Sequence, residues 1–132
     1  MVFLTLNTGC AVNRATASVE NPAALNGLKT MHVSKLGADG RGIDALIADK
    51  LRTRGYTVTN GPEKPTNVDA IVTYKDKWMW DITMYMLELT ITIRDPQNDF
   101  PFATGNSYHT SLTRKSPPEM VDEVIENIFN QE

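Results

Sequence analysis

Residues 69–94 read DAIVTYKDKWMWDITMYMLELTITIR, a run of 26 residues without glycine or proline. Valine, isoleucine, threonine, tyrosine and tryptophan dominate the run, and these residue types favour a pleated, half-buried strand. Apolar residues fall on even numbers in the first arm, as at Val72, and on odd numbers in the second, as at Leu89. The pattern predicts one long β-hairpin that reverses its direction within residues 77–82.

The numbering of the two arms restricts how this hairpin pairs. Both apolar sets can share one face only if every cross-strand pair joins an even-numbered residue to an odd-numbered one. The connecting loop must then contain an even number of residues, or a bulge must intervene. The reversal also lacks the Asn-Gly or Asp-Gly sequence of a tight two-residue turn.

Two tryptophans, Trp78 and Trp80, stand where turn residues are expected. Their equal parity puts both rings on the core side, with Val72, if the strand continues through them. In that case they close the end of the core. If the chain reverses between them, at least one ring is exposed, where aromatic side chains commonly anchor an interface. Both interpretations remain open from the sequence.

Two methionines, Met84 and Met86, fall on the other face of the second arm. Methionine fills gaps in cores and is also common on adaptable binding surfaces. The sequence therefore allows either core or dimer packing, or a surface that binds a partner. The candidate partner surface consists of Trp78, Met79, Trp80, Met84 and Met86.

The composition of the chain limits the functions it can have. Its 132 residues suffice for one domain with a single hydrophobic core. A net charge of −3 and a pI of about 5.4 argue against nucleic-acid binding, which needs a clustered basic surface. No segment contains the ~20 consecutive apolar residues of a membrane-spanning helix, so any membrane link must be an anchor.

The N-terminal residues suggest such an anchor. A short apolar run, VFLTL, and two small residues, Thr8 and Gly9, precede Cys10, the one cysteine of the chain. This order resembles the end of a bacterial lipoprotein signal, truncated at its start, in which the cysteine is lipidated. The alternative is an ordinary free cysteine, because Asn7 stands where an aliphatic residue is expected. Residues 11–26 predict a flexible linker, and residues 27–132 a single domain.

The domain is expected to begin with a strand, a helix and a second strand. Residues 28–36 predict the first strand, the spacing of apolar residues from Ile43 to Leu51 predicts the helix, and residues 56–59 predict the second strand. This order implies a parallel crossover. Residues 40–45 also fit the dinucleotide motif G-x-G-x-x-A, but the second strand ends in Thr59-Asn60-Gly61-Pro62 and not at the acidic residue that a dinucleotide site needs. The glycines therefore indicate a loop before a helix.

The last part of the chain predicts a further strand and the clearest helix. Residues 102–113 form the strand, in which Gly105 suggests a bulge or a close backbone approach. Ser116 with Glu119 three residues later forms a capping box before an apolar stripe that ends at Phe129. The predicted fold is α+β, with the order β-α-β-β-β-β-α. Its mixed, mainly antiparallel sheet has about five strands, and both helices pack on one face.

Residues with catalytic chemistry are few. His32 and His109 lie on predicted strands with no serine, cysteine or aspartate at motif spacing, so each is interpreted as an ordinary strand residue. Glu88, in the middle of a strand, is expected to point to solvent. No ligand set for a metal stands at short spacing, and no cofactor is predicted.

Two long segments carry a resemblance to a family. KWMWDITMYMLELTITIRDP, followed by ATGNSYHTSLTRKSPPEMVDEV, is similar to small, mostly uncharacterised lipoproteins of Gram-negative bacteria. The resemblance implies a non-catalytic envelope protein, an accessory, assembly or binding module that faces the periplasm, with a lipid on Cys10. The implied partner is another envelope protein or a second copy of the chain. If the N-terminus is not a signal, a cytoplasmic location follows.

A second hypothesis concerns the start of the last helix. Arg114 and Lys115 precede Ser116, although positive charges at a helix N-terminus oppose the helix dipole. Together with free backbone N–H groups, these three residues could bind an anion or a small molecule, or support a weak enzyme. The alternative is that the two charges are solvated and balance an acidic helix.

Overall fold

The computed structural model describes residues 12–130. These residues form six strands, three α-helices and one short 3₁₀ turn. The elements are β1 (Asn13–Val19), α1 (Pro22–Asn26), β2 (Thr30–Ser34), α2 (Ile43–Thr53), β3 (Thr57–Gly61), β4 (Ala70–Asp81), β5 (Thr83–Arg94), β6 (Pro101–His109), the 3₁₀ turn (Ser111–Thr113) and α3 (Pro117–Phe129).

The strands form one mixed sheet in the order β1-β6-β5-β4-β2-β3. β2 is parallel to β3 and β4, and the other pairs are antiparallel. α2 and α3 contact each other and cover the sheet, and the buried core lies beneath them. The predicted α+β class is therefore confirmed, with six strands instead of about five.

The predicted linker is wrong for residues 13–26. Asn13–Val19 is edge strand β1, which pairs antiparallel with β6, and Pro22–Asn26 is a short helix capped by Asn21. Ala17 and Val19 pack against the core, while Thr16 and Ser18 face solvent. Small side chains give a weak alternation, and most of the strand's order comes from the backbone ladder with β6, which lies far away in sequence.

The predicted hairpin consists of β4 and β5, and its pairing contains a bulge. Lys77 pairs with Glu88, but Trp78 pairs with Met86, so Leu87 is an extra residue on β5. From Ile71 to Lys77, each β4 residue pairs with a β5 residue of opposite parity. From Trp78 to Asp81, even-numbered residues pair with even-numbered ones and odd with odd. The sequence required either a loop with an even number of residues or a bulge, and the structure contains the bulge. As a result, residues 83–86 of β5 lie on the face opposite to the one that the alternation predicts.

Gly105 allows α3 to approach the sheet closely. A Cβ atom at this position would lie 2.8 Å from Val124 and 2.9 Å from Ile128, both on α3. Both distances are shorter than van der Waals contact, so a larger residue would push the helix away from β6. The close backbone approach expected at Gly105 is confirmed.

The far end of the hairpin extends beyond the rest of the sheet. β2 pairs with β4 only as far as Val72, and β6 pairs with β5 only from Glu88 onward. Among residues 12–130, the segment 78–87 therefore has no strand neighbours other than its own two strands. We call this segment the hairpin arm. A two-stranded ribbon has little stability of its own, so side-chain contacts must fix its position.

Candidate functional site

The hairpin arm ends in a sharp reversal at Ile82. This residue adopts φ = 67°, a left-handed conformation that is unusual for a β-branched side chain. Its side chain is 85% exposed, so no burial compensates for the strained backbone. Strain of this kind concentrates at functional positions.

Apolar side chains gather around this reversal and face solvent. Trp80 and Met84 are cross-strand partners, so they lie next to each other on one face of the arm. The 3₁₀ turn, which carries Leu112, lies beside the reversal, because its Ser111 hydroxyl donates to the Asp81 carboxylate. We call the exposed set the apolar tip: Met79, Trp80, Ile82, Met84 and Leu112.

Arg114 holds the arm in place. Its guanidinium donates to the Asp81 carbonyl at 3.2 Å and to the Thr83 hydroxyl at 2.9 Å. The same group lies 4.4 Å from the centre of the Tyr85 ring and bonds to the Ser111 carbonyl at 2.9 Å. One side chain therefore connects both strands of the arm to the 3₁₀ turn. The apolar tip is consequently presented in a fixed arrangement despite the lack of neighbouring strands.

The two tryptophans occupy different environments. Trp78 packs partly against the core, its indole N–H donates to Asp76 at 2.7 Å, and the Arg41 guanidinium lies 4.0 Å from the ring centre. Trp80 is 69% exposed. Strand β4 continues through both residues, so the chain does not reverse between them, but the core ends between them. Trp78 is therefore structural, and Trp80 is available to a partner.

Met86 does not belong to the candidate partner surface. Its side chain is buried in the core, opposite Trp78. The bulge at Leu87 is the physical reason, because it reverses the faces of the preceding β5 residues. Met79, Trp80 and Met84 are exposed as the partner surface requires. Sequence reasoning missed Ile82 and Leu112 as members of this surface.

Two of the three residues of the expected anion site, Arg114 and Ser116, are occupied within the chain. Arg114 is bound to the hairpin arm as described above. The Ser116 hydroxyl accepts from the Glu119 N–H at 3.3 Å, and the Glu119 carboxylate accepts from the Ser116 N–H at 2.8 Å. The hydrogen bond from the Ser116 N–H, together with the Ser116 side chain, lowers the pKa of Glu119. The carboxylate of Glu119 therefore stands where an external anion would bind, and the structure does not form the expected site.

The glycine motif before α2 is also closed by an internal carboxylate. Asp39 accepts hydrogen bonds from the backbone N–H groups of residues 41–44 and from the Tyr74 hydroxyl at 2.6 Å. Burial acts to raise the pKa of Asp39, but these hydrogen bonds outweigh it and the pKa lies below its ordinary value. A pyrophosphate would need the same N–H groups. The interpretation of the glycines as loop residues agrees with this arrangement.

The other titratable candidates have structural partners. His32 is buried, with Nδ1 2.7 Å from the Thr59 hydroxyl and Nε2 3.2 Å from the Gly61 carbonyl. Glu88 is only partly exposed, because its carboxylate accepts from the Asn106 amide at 2.9 Å. The expectation that Glu88 points freely to solvent is therefore only partly met.

His109 is fully buried beneath α3. Its Nε2 lies 2.7 Å from Glu123, and the same carboxylate oxygen accepts from the Ser107 hydroxyl at 2.5 Å. Burial acts to raise the pKa of Glu123, but the hydrogen bonds from His109 and Ser107 outweigh it and the pKa lies below its ordinary value. The serine and the histidine thus share one carboxylate oxygen and do not bond to each other, which is not the order of a nucleophilic triad.

Within residues 12–130, no helix is both long and apolar enough to cross a membrane. The same residues contain no group of three metal-ligating side chains close enough to hold an ion. The fold and the site together describe an α+β domain that displays an apolar hairpin tip and whose polar clusters are mostly satisfied internally.

Comparisons with known proteins identify relatives of the fold. No protein family model matches the sequence, and no curated protein sequence matches it. A single-substitution variant of PelC from Paraburkholderia phytofirmans, solved as a dodecamer, is similar in structure, with a TM-score of 0.66 and 15% identity over 92% of this chain and 100% of that chain. A second PelC dodecamer structure from the same organism has a TM-score of 0.65 and 15% identity over 88% of this chain and 96% of that chain.

A PDZ domain protein from Parabacteroides distasonis is also similar, with a TM-score of 0.55 and 12% identity over 89% of this chain. This chain spans only 35% of that protein's length. At these identities the likeness concerns the fold alone.

Proposed function

We propose that this chain is a non-catalytic assembly or binding module of the bacterial cell envelope, tethered on the periplasmic side by a lipid on Cys10. The apolar tip is its contact surface. The observation that carries the proposal is that five large apolar side chains are exposed on the hairpin arm and the adjoining 3₁₀ turn, where Arg114 fixes the arm. Large exposed apolar side chains grouped on one part of a surface are typical of interaction sites.

The proposed occupant of the tip is a second copy of this chain. The arm reaches beyond its own sheet, so its exposed side chains, Trp80 among them, can contact another molecule without moving the domain core. The two similar PelC structures are dodecamers, which is consistent with a fold that supports self-association. The exposed tryptophan also suits the centre of an interface, where tryptophan is strongly enriched among energetically important residues.

Sedimentation velocity over a concentration series tests this proposal with a matched pair of variants. Trp80 and Phe100 are both 69% exposed, but Phe100 lies beyond the opposite end of β5. Trp80→Ser is expected to weaken self-association by about tenfold or more, since hot-spot truncations cost over ~1.4 kcal/mol. Phe100→Ser should leave it unchanged. A monomeric wild-type chain, or equal loss in both variants, would contradict the proposal.

The tether requires a separate test, because Cys10 lies outside the described residues. Intact-mass analysis of protein isolated from bacterial membranes should show a mature chain that begins at Cys10 and carries acyl groups. The Cys10→Ser variant should lose the acyl mass and leave the membrane fraction. A mature chain that begins before Cys10 with an unmodified thiol would end the lipoprotein hypothesis, while the assembly role of the tip would stand or fall on the sedimentation result.

A further inference from the structure

The face of the sheet opposite α2 and α3 contains a cavity of about 620 Å³. Its floor consists of outward-facing residues of β2, β4 and β5, and its sides come from the connection before β4 and the turn after β5. The volume falls within the range that binds small ligands, roughly 300–1,000 Å³. None of the residues of the apolar tip lines it.

Cationic side chains dominate the charges around this cavity. Lys64, Lys75 and Arg94 line it, against the single carboxylate of Asp99. Within residues 12–130, neither lysine forms an ion pair. The chain as a whole carries a net charge of −3, so three cations around one concave surface stand out against an acidic protein.

Arg94 is held in position by groups of the chain. Its Nε donates to the Thr73 hydroxyl at 2.9 Å, and its Nη1 donates to the Asp99 carbonyl at 3.1 Å. Within residues 12–130, Nη2 makes no hydrogen bond, so this part of the guanidinium is available to a ligand. A guanidinium fixed in this way loses little side-chain entropy when it binds a carboxylate or a phosphate.

The hydroxyl groups on the floor can also donate to an anion. The Thr73 hydroxyl accepts from Arg94, and the Thr90 hydroxyl accepts from the Asn106 amide at 2.8 Å. Each acceptor role leaves the O–H hydrogen free to point toward the cavity. Cationic side chains and hydroxyl donors around one space match the oxygen-rich surface of an anionic ligand.

A smaller neighbouring cavity of about 390 Å³ shares Leu36 and Lys75 with the first. Its other two cations are already in use, because Arg41 covers the Trp78 ring and Lys77 pairs with Glu88 at 3.7 Å. The available positive charge therefore points to the larger cavity as the binding site.

We propose that the cavity on the open sheet face binds a small ligand with two or more carboxylate or phosphate groups, through Lys64, Lys75 and Arg94. Coordination by two flexible lysines and one fixed arginine requires anionic groups that are several ångströms apart, and a monovalent anion would satisfy only one of the cations. This site is distinct from the start of α3, where the chain's own carboxylate occupies the donors.

Titration of the full chain with citrate and with pyrophosphate at constant ionic strength tests the site. Backbone amide shifts of Thr73, Thr90 and Thr92 are expected to move with either probe, and a tighter response to one probe identifies carboxylate or phosphate as the preferred group. Absence of any shift at these residues up to about 10 mM, a limit corresponding to very weak binding, would overturn the proposal.

Variants that each remove one positive charge distinguish a specific binding site from nonspecific electrostatic attraction. Lys64→Gln and Lys75→Gln are each expected to weaken binding about 3- to 10-fold, as for loss of one charge-assisted hydrogen bond. Lys29→Gln removes the same charge from an exposed lysine outside the cavity and should change binding less than about twofold. Equal weakening in all three variants would overturn the proposal. Trp80→Ser should leave binding unchanged, so this site is tested independently of self-association.

Discussion

The two ends of strand β5 have similar strand-forming sequences but opposite environments. Leu89, Ile91 and Ile93 are completely buried under the helices, whereas Met84, in the hairpin arm, is about half exposed. Both ends pair with β4, so pairing alone does not decide burial. The neighbours decide it: β6 pairs with β5 only as far as Glu88, Tyr85 and Met86 just beyond it are still buried, and the last residues of the arm, Thr83 and Met84, are exposed. A single strand can thus serve the core at one end and a contact surface at the other.

The largest expected difference between the two ends comes from truncating leucines. Leu89→Ala should reduce the free energy of unfolding by about 2–5 kcal/mol, because it leaves a cavity in the core. Leu112→Ala, at the apolar tip, should change it by less than about 0.5 kcal/mol. Urea unfolding followed by circular dichroism measures both. Comparable losses would mean that the tip is part of the core in solution.

The next largest effect concerns the contact between α3 and β6. Gly105→Ala should destabilise the protein by about 1–3 kcal/mol, because the added methyl group overlaps Val124 and Ile128. Gly37→Ala is a suitable control, since no atom lies within 4 Å of its added methyl group. A neutral Gly105→Ala variant in the same urea experiment would show that α3 sits farther from the sheet.

The two tryptophans test where the core ends. Trp78→Ala should cost about 1–2 kcal/mol, less than the ~3–5 kcal/mol for a fully buried ring, because Trp78 is only partly buried. Trp80→Ala should leave the thermal midpoint of the dilute chain nearly unchanged. If both variants lose stability to the same extent, the boundary between core and arm lies beyond Trp80, and the tip is no longer a candidate contact surface.

The smallest effect is a pH dependence at α3. The pKa of Glu123 is lower in the folded chain than its ordinary value, so its contribution to stability is present above the unfolded pKa and declines as the pH falls through the folded pKa. The stability difference between wild type and Glu123→Gln should therefore be larger at pH 6 than at pH 3. Chemical unfolding at both pH values measures it, and a difference that grows at low pH would contradict the assigned cause.

The sequence predicted much of this architecture because long patterns determine it. The alternation in β4 and β5, the helical spacing in α2 and the capping box of α3 are local signals, and each corresponds to an observed element. Strand β1 was missed because its small side chains give little periodicity, and its partner β6 lies about 90 residues away in sequence. Only the folded sheet shows why residues 13–19 adopt an extended conformation.

The contact surface was predicted in part. Trp80 and Met84 were identified by residue type and position. The burial of Met86 was not, because the alternation of apolar residues does not show at which residue the pairing of β4 with β5 shifts by one. Leu112 was missed for a different reason: it reaches the tip through the hydrogen bonds of Ser111 and Arg114, which join segments about 30 residues apart.

The outer edge of β4 carries a consequence for how copies can meet. Beyond Val72, the described strands leave this edge without a neighbour, and an unpaired edge invites backbone pairing between molecules and hence fibrous aggregation. The consecutive charges of Lys75, Asp76 and Lys77 occupy the edge just before the arm. Charged side chains at such a position disfavour an added strand from another molecule. We therefore expect copies to associate through the side chains of the apolar tip and not by adding strands to this edge.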